Sequence, residues 1–301
     1  MSNAKGLPRI SIVTPSYNQG RYLEKTIRSV LLQGYPDVEY IIIDGGSTDQ
    51  SVEIIKRYEP WLAYWVSEPD QGQSDAINKG FSRSTGQIMT WLNSDDFLEF
   101  DALARMGIEF LDAEENVGAI VGIGNYIDEN GGVVRCNFPT EISRKTLLRW
   151  GSAYGSNRPW TDDFLQPACL FTRQAWNYGG PLRSNLHYCM DFALWIKIAE
   201  RFRFKLLPES IAYAHRHPGA KTLAKIPYCY GELALFLATL PDGFDAAANT
   251  MTKLISEEID KQKLSKNRTL RRIARGLGIG YTRRAAYRLA TAASKLWMHL
   301  S

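Results

Sequence analysis

Over its first hundred residues the chain alternates between two hydrophobic periods, and that alternation restricts the folds open to it. Residues 9–14 are short, apolar and β-branched, which predicts a buried strand. Residues 21–33 carry Leu23, Ile27, Val30 and Leu31 at helical spacing, and Gly34 and Pro36 stop that run. Residues 38–43 predict a second strand ending in Asp44. Ser47, with Gln50 three residues on, has the pattern of a capping box and predicts a helix to about Tyr58. Strands near 62–66 and over 87–92, and helices over 73–81 and 101–114, continue the series. Such alternation predicts a parallel sheet with helices on both faces. Ligands of these sheets bind at the carboxyl ends of the strands. Three polar clusters fall there: Thr14–Asn18, Asp44–Asp49 and Asn93–Asp96.

Farther along, residues 117–123 predict a strand, and 126–134 a hairpin around Asn130, Gly131 and Gly132. Residues 140–165 are irregular, and their Trp150, Tyr154 and Trp160 suit either stacking on sugar rings or core packing. A strand over 166–172, a helix over 191–202 and helices from 226 onward complete the pattern. No run reaches the roughly 18–20 apolar residues of a membrane span, since Glu232 and a glycine interrupt 226–240. Cys136, Cys169, Cys189 and Cys229 form no C-x-x-C pair, so reduced thiols in a cytoplasmic protein are expected.

The net charge of +4 is unevenly spread. From Lys261 onward there are eleven Lys and Arg and no Asp or Glu, leaving 25 basic and 32 acidic residues before it. An acidic body argues against nucleic acid as a partner. The tail, with Arg268, Arg271, Arg272 and Arg275 among apolar residues, has two readings: docking on an anionic membrane surface, or a solvated helix covering the domain.

Asn93, Ser94, Asp95 and Asp96 follow an apolar strand. Adjacent carboxylates there suit Mg²⁺ or Mn²⁺, which take one or two carboxylates plus diphosphate oxygens and water. A helix cap is the other reading. The glycines of Asp44–Asp49 admit backbone amides to an anion, or simply make a tight turn. Neither G-x-G-x-x-G nor a P-loop is present.

The segments IVTPSYN (12–18), IDGGSTD (43–49), EPDQGQSDAINKG (68–80), WLNSDD (91–96), QP (166–167), MDFALW (190–195) and HRHPGAKT (215–222) occur in this order. Together they resemble family 2 glycosyltransferases of the GT-A fold over about residues 8–225. The resemblance implies an α/β fold with a mostly parallel central sheet flanked by helices. It implies a catalytic domain over 8–225, with a nucleotide-binding half (8–100) and an acceptor-binding half (101–225), then a helical, basic extension over 226–301. The implied reaction is inverting transfer of a sugar from a nucleotide-diphosphate donor, a UDP-sugar foremost, to a hydroxyl of a sugar or lipid-linked glycan. Bacterial surface polysaccharide or glycan assembly is the implied setting, on the cytoplasmic side and peripheral to the inner face of the plasma membrane if the tail docks. One sugar per encounter is expected, because Q-x-x-R-W is absent.

Roles follow by position. Thr14, Pro15, Tyr17 and Asn18 would bracket the base, and Asp44 would contact base or ribose. Asp70 and the Gln71–Asp75 stretch, with Gln71 and Asp75 foremost, would line the donor site. Asn93, Ser94 and Asp95 occupy the D-x-D position, with Asp95 as the metal carboxylate and Asp96 ligating or orienting it. His217 would serve the metal or the diphosphate, and Lys221 and Thr222 the diphosphate. Asp191 would take the acceptor's proton, while Mn²⁺ or Mg²⁺ stabilises the leaving diphosphate. The chain departs from the family at Asn93, where aspartate is usual, and at Met190, where glutamate is frequent. A nucleotidyltransferase would need a Gly- and Arg-rich triphosphate loop, which Ser16–Gly20 does not supply. A sugar-nucleotide-binding protein without catalysis is countered by Asp95, Asp96 and Asp191.

Overall fold

A computed structural model describes residues 6–135, 138–153, 164–217, 219–221, 226–243 and 245–250. The side chain of Trp150, and Tyr154, Trp160, Thr222 and the basic segment 261–301, lie outside the described residues. The chain divides into two compact units, 1–144 with 161–220 and 145–160 with 221–301. The second contains the helix α8 (Ile226–Ala238) and most of α5 (Arg144–Ala153). Among the described residues no helix is long and apolar enough to cross a membrane.

The first unit holds one nine-stranded sheet. Its strands are β1 (Ile10–Ser16), β2 (Val38–Asp44), β3 (Tyr64–Ser67), β4 (Ile88–Trp91), β5 (Phe97–Leu98), β6 (Val117–Asp128), β7 (Val133–Arg135), β8 (Cys169–Thr172) and β9 (Arg203–Arg216). Their order is β3-β2-β1-β4-β8-β6-β9-β5, with β7 paired to β6 as a hairpin. The run β3-β2-β1-β4 is parallel. β8 is antiparallel to both β4 and β6, and β9 is parallel to β6. Every residue of β1 is buried, as a central strand covered on both faces requires.

One face of the parallel half is covered by α1 (Gly20–Leu31) and α2 (Ser51–Tyr58), which bury Leu23, Ile27, Ile54 and Ile55 against Ile10, Ile12 and Ile42. On the other side α3 (Gln73–Arg83) buries Ile77 and Phe81. Phe81 belongs to an aromatic cluster with Trp91, Phe171 and Trp176, and Trp195 extends it. Helices α4 (Ala102–Leu111), α6 (Arg173–Gly179) and α7 (Met190–Ile198) complete this unit.

The sequence pattern did not predict β9. Pro208 and Glu209 interrupt its alternation, and proline cannot donate to a ladder. The structure absorbs them in a register shift: Val121 pairs with Leu206, but Ile123 pairs with Ser210. The predicted capping box is also replaced. Asp44 takes both the N–H and the hydroxyl of Ser47, so α2 begins at Ser51, whose N–H meets Asp49 Oδ1 at 2.9 Å.

Gly80 sets how closely α3 lies on the sheet. A Cβ there would stand 2.4 Å from Val13 Cγ1. Gly80→Ala is expected to lower the unfolding free energy by about 1–2 kcal/mol in a urea titration, although alanine is about 1 kcal/mol the better helix former. A stabilised variant would show that this contact has slack.

Candidate functional site

The loops leaving β1 and β2 are joined to one another by hydrogen bonds. Asn18 adopts a left-handed conformation, with φ of 52°. Its N–H donates to Ser47 Oγ (2.8 Å) and its Oδ1 accepts the Thr48 N–H (2.8 Å). The Gly20 N–H donates to Asp49 Oδ2 at 2.9 Å, and the Gln19 N–H to Ser51 Oγ at 3.1 Å. Asp44, fully buried, accepts from the Ser47 N–H, the Ser47 hydroxyl, the Gly46 N–H and the Ser67 hydroxyl, at 2.6–3.2 Å. Its carboxylate therefore shapes the turn and ties it to the end of β3. Asp70 lies over this turn: a Cβ on Gly45 would meet Asp70 Oδ2 at 2.8 Å and displace that carboxylate. The other Asp70 oxygen accepts the Gly72 N–H at 2.7 Å. Asp75 accepts the Gln71 N–H (3.1 Å) and pairs with Lys79 (3.3 Å). Tyr17 stands out from this edge, 62% exposed.

Thr14 differs from its expected place. Its side chain is fully buried and its hydroxyl lies 3.0 Å from Tyr40 Oη, because alternation along β1 turns it into the core. Pro15, in the same buried strand, offers no exposed face either.

The segment leaving β4 is fixed from several directions. The hydroxyl of Thr26 on α1 points at the carbonyls of Ser94 (3.0 Å) and Asp96 (2.7 Å). Asn93 is committed at both ends of its amide: Oδ1 accepts from Gln73 Nε2 (2.7 Å), and Nδ2 donates to Asp96 Oδ2 (2.9 Å). Asp96 Oδ1 accepts the His215 N–H at 3.0 Å. Asp96 is 5% exposed. Burial, then the neighbouring Asp95 charge, pushes its carboxyl well above the usual range, against the pull of those hydrogen bonds.

Asp95 points elsewhere. Its Oδ2 lies 3.0 Å from His217 Nε2, and the two side chains are 20% and 3% exposed. The imidazole is held by the Tyr22 ring, at 4.3 Å between centroids, and by His215 at 5.3 Å. Burial lowers the His215 pKa, and the nearby His217 and Lys25 lower it further.

Two ligands at neighbouring corners of an octahedron with bonds of about 2.1 Å stand about 3 Å apart. The Asp95–His217 separation matches that spacing, so this pair fits two positions around a hard divalent cation. Among the described residues no group of three or more His, Cys, Asp and Glu forms a complete cage. Asp96 is here turned toward the Asn93 amide and the His215 N–H. Mg²⁺-type sites commonly leave the remaining positions to water and phosphate oxygens.

Asp191 is the second residue of α7, and its Oδ1 accepts the Phe192 N–H at 2.7 Å. One turn later Trp195 stacks on Trp91, the last residue of β4, at 5.7 Å and 9°. The buried Cys169 thiol is pushed up in pKa by burial and then by the Asp191 charge. Cys169 in turn accepts from the Thr90 hydroxyl at 2.9 Å through its carbonyl. The stacking sets α7, which opens with Met190 and Asp191, against the end of β4, from which Asn93–Asp96 departs. β2, β1 and β4 are neighbours in the sheet, so the three predicted clusters share one edge. Lys221 belongs to the second unit.

Several residues here had no role of their own in the sequence reading. Tyr22 and Thr26 looked like ordinary positions of an amphipathic helix. Gln73 carried a signal, since it lies within the 68–80 motif. Gln166 was noted in a motif without a role. Its Nε2 donates to the Trp91 carbonyl (2.8 Å), while Oε1 is buried with no hydrogen-bond partner among the described residues.

Residues 11–178 match the model of the family described as Glycosyl transferase family 2. An uncharacterized glycosyltransferase of Mycobacterium tuberculosis H37Rv is 34% identical over 142 residues, 47% of this chain and 53% of that protein. A Pasteurella multocida chondroitin synthase is 27% identical over 211 residues, 68% of this chain but 20% of its own length. The chain thus spans about half the length of the first of these relatives and a fifth of the second. Among solved structures, Staphylococcus aureus TarS 1–349 superposes with a TM-score of 0.58 at 17% identity, covering 84% of this chain and 73% of that one. The mannosyltransferase PcManGT of Pyrobaculum calidifontis, in complex with GDP-Man and Mn²⁺, gives 0.56 at 19% identity over 98% and 88%. The sheet is that of the GT-A fold, and the chain belongs to glycosyl transferase family 2.

Proposed function

We propose that the chain transfers a sugar from a nucleotide-diphosphate donor to an acceptor hydroxyl with inversion at the anomeric carbon. What supports this reading is a cation-compatible pair, Asp95 and His217, on and beside the segment leaving β4, together with a second carboxylate, Asp191, on the helix whose Trp195 stacks on Trp91 at the end of that strand. In this reading Asp191 accepts the proton of the acceptor hydroxyl as its oxygen attacks the anomeric carbon. The bond from that carbon to the diphosphate oxygen breaks on the opposite face. Asp95 and His217 would hold Mn²⁺ or Mg²⁺. Such a cation supplies charge stabilisation to the departing diphosphate. Asp96 and Asn93 orient the Asp95 segment from behind.

Tyr17, Asn18 and the turn braced by Asp44 form the base side of the donor site, with Asp70, Gln71 and Asp75 beside it and Ser94 in its floor. A UDP-sugar is the favoured donor. TarS has been solved with UDP-GlcNAc and PcManGT with GDP-Man, which supports the nucleotide-sugar class. The same reading extends to a sugar or lipid-linked glycan acceptor in surface polysaccharide assembly, one sugar at a time, on the cytoplasmic side of a membrane that segment 261–301 contacts.

A screen of nucleotide sugars in Mn²⁺ and Mg²⁺, read as release of nucleoside diphosphate, tests the reaction class; pyrophosphate from a triphosphate would indicate a nucleotidyltransferase. Asp191→Asn is expected to lower kcat by about 10²–10⁴-fold while UDP affinity stays within about twofold. Full activity in that variant would dismiss Asp191 as the base. Chelation of divalent metal should abolish transfer, with Mn²⁺ restoring it, and Asp95→Ala should weaken Mn²⁺-dependent UDP binding on the order of tenfold. UDP binding indifferent to both treatments would remove the cation from this site.

A further inference from the structure

Helix α3 touches both sides of the site. Its first residue, Gln73, donates to Asn93 Oδ1 at 2.7 Å and so reaches the segment carrying Asp95. One residue on, the Ser74 hydroxyl donates to the Leu186 carbonyl at 3.3 Å. A turn later Asn78 grips the main chain of Leu182 twice: Nδ2 donates to its carbonyl at 2.8 Å, and Oδ1 accepts its N–H at 2.9 Å. Ser74 and Asn78 are four residues apart and share a helix face. The two residues they hold are also four apart, in the opposite order. The segment before α7 therefore runs antiparallel along α3 for one turn. Leu182 and Leu186 are both buried, and the Leu186 N–H closes a turn onto the Arg183 carbonyl at 3.0 Å. Asp191 follows five residues after Leu186. The helix lies close on the sheet, with no room for a Cβ between Gly80 and Val13 of β1.

We propose that Asn78 is a positioning residue: through its double bond to the Leu182 main chain, α3 sets the separation between the donor-side segment at Asn93–Asp96 and the base Asp191. This inference rests on the proposed transferase reading. Asn78 touches no reacting atom. Its loss would leave a part-buried N–H and a part-buried carbonyl to find new partners, and the segment would shift to supply them. Displacement of a reacting group by about 1 Å costs on the order of 10²-fold in rate.

The test compares wild type, Asn78→Ala and Asn78→Asp in sugar transfer, in UDP binding with Mn²⁺ and in thermal unfolding. Asn78→Ala is expected to lose about 10–100-fold in kcat, with donor KM and UDP affinity within about twofold of wild type. Asn78→Asp keeps the acceptor for the Leu182 N–H and should recover part of that rate. A lowered melting temperature with unchanged kcat would overturn the inference, and so would a parallel loss of UDP affinity. Should Asn78→Ala fail to fold, Asn78→Asp and Ser74→Ala carry the same comparison: a kcat loss at constant UDP affinity supports it and unchanged kcat overturns it. Wild type that transfers while the variants match it sinks the inference alone. Wild type that transfers no sugar sinks the transferase reading, and the inference with it.

Discussion

Parallel pairing of β2, β1 and β4 forces each connection to leave from the same sheet edge. Each crossing helix returns the chain to the far edge, so the turns at the carboxyl ends accumulate side by side. Their amides and carbonyls have no ladder partner there, and the chain supplies partners from side chains. Asn18, Asp44, Asp49 and Ser51 do this for the first two loops. Thr26, Asn93 and Asp96 do it for the third. The polar character of this edge is thus partly the cost of ending parallel strands together, and only a few groups remain turned outward for chemistry.

That division sorts the acidic residues. Asp44 and Asp96 are buried and held by short local bonds, and each stabilises the backbone next to it. Asp95 instead meets His217, and Asp191 stands in the first turn of α7. A buried carboxylate without partners would be costly, so the bonds to Asp44 and Asp96 are conditions for keeping them inside. Neighbours of one sign then matter: Asp95 raises the pKa of Asp96, and the Asn93 amide offsets part of that effect.

Much of the parallel half was legible because it depends on local signals. Apolar runs with β-branched residues marked β1 and β2, and spacing of 3.6 marked α1 and α3. The antiparallel half was less so. β9 pairs with β6 across about ninety residues, and its pattern is broken at Pro208, so its existence depends on a partner no local window contains. The site shows the same limit. Motifs located Asp95, Asp191 and His217 along the chain, but the side each faces depends on tertiary contacts. Thr14 faces the core, and Ser47 serves Asp44 rather than a helix start, because the burial of one strand and the reach of one carboxylate decide between options that look equal in one dimension. Tyr22 acquires its place against His217 only once β9 brings that ring back to α1.

The hydrogen bond between Asn93 and Asp96 also bears on how this sequence can diverge. Aspartate at position 93 would confront the buried Asp96 with a second anion and deprive it of a donor, whereas the Gln73 amide would still be satisfied. The reverse exchange, with aspartate first and a neutral side chain at 96, keeps the count of one charge in that pair. Substitutions at these two positions are therefore coupled.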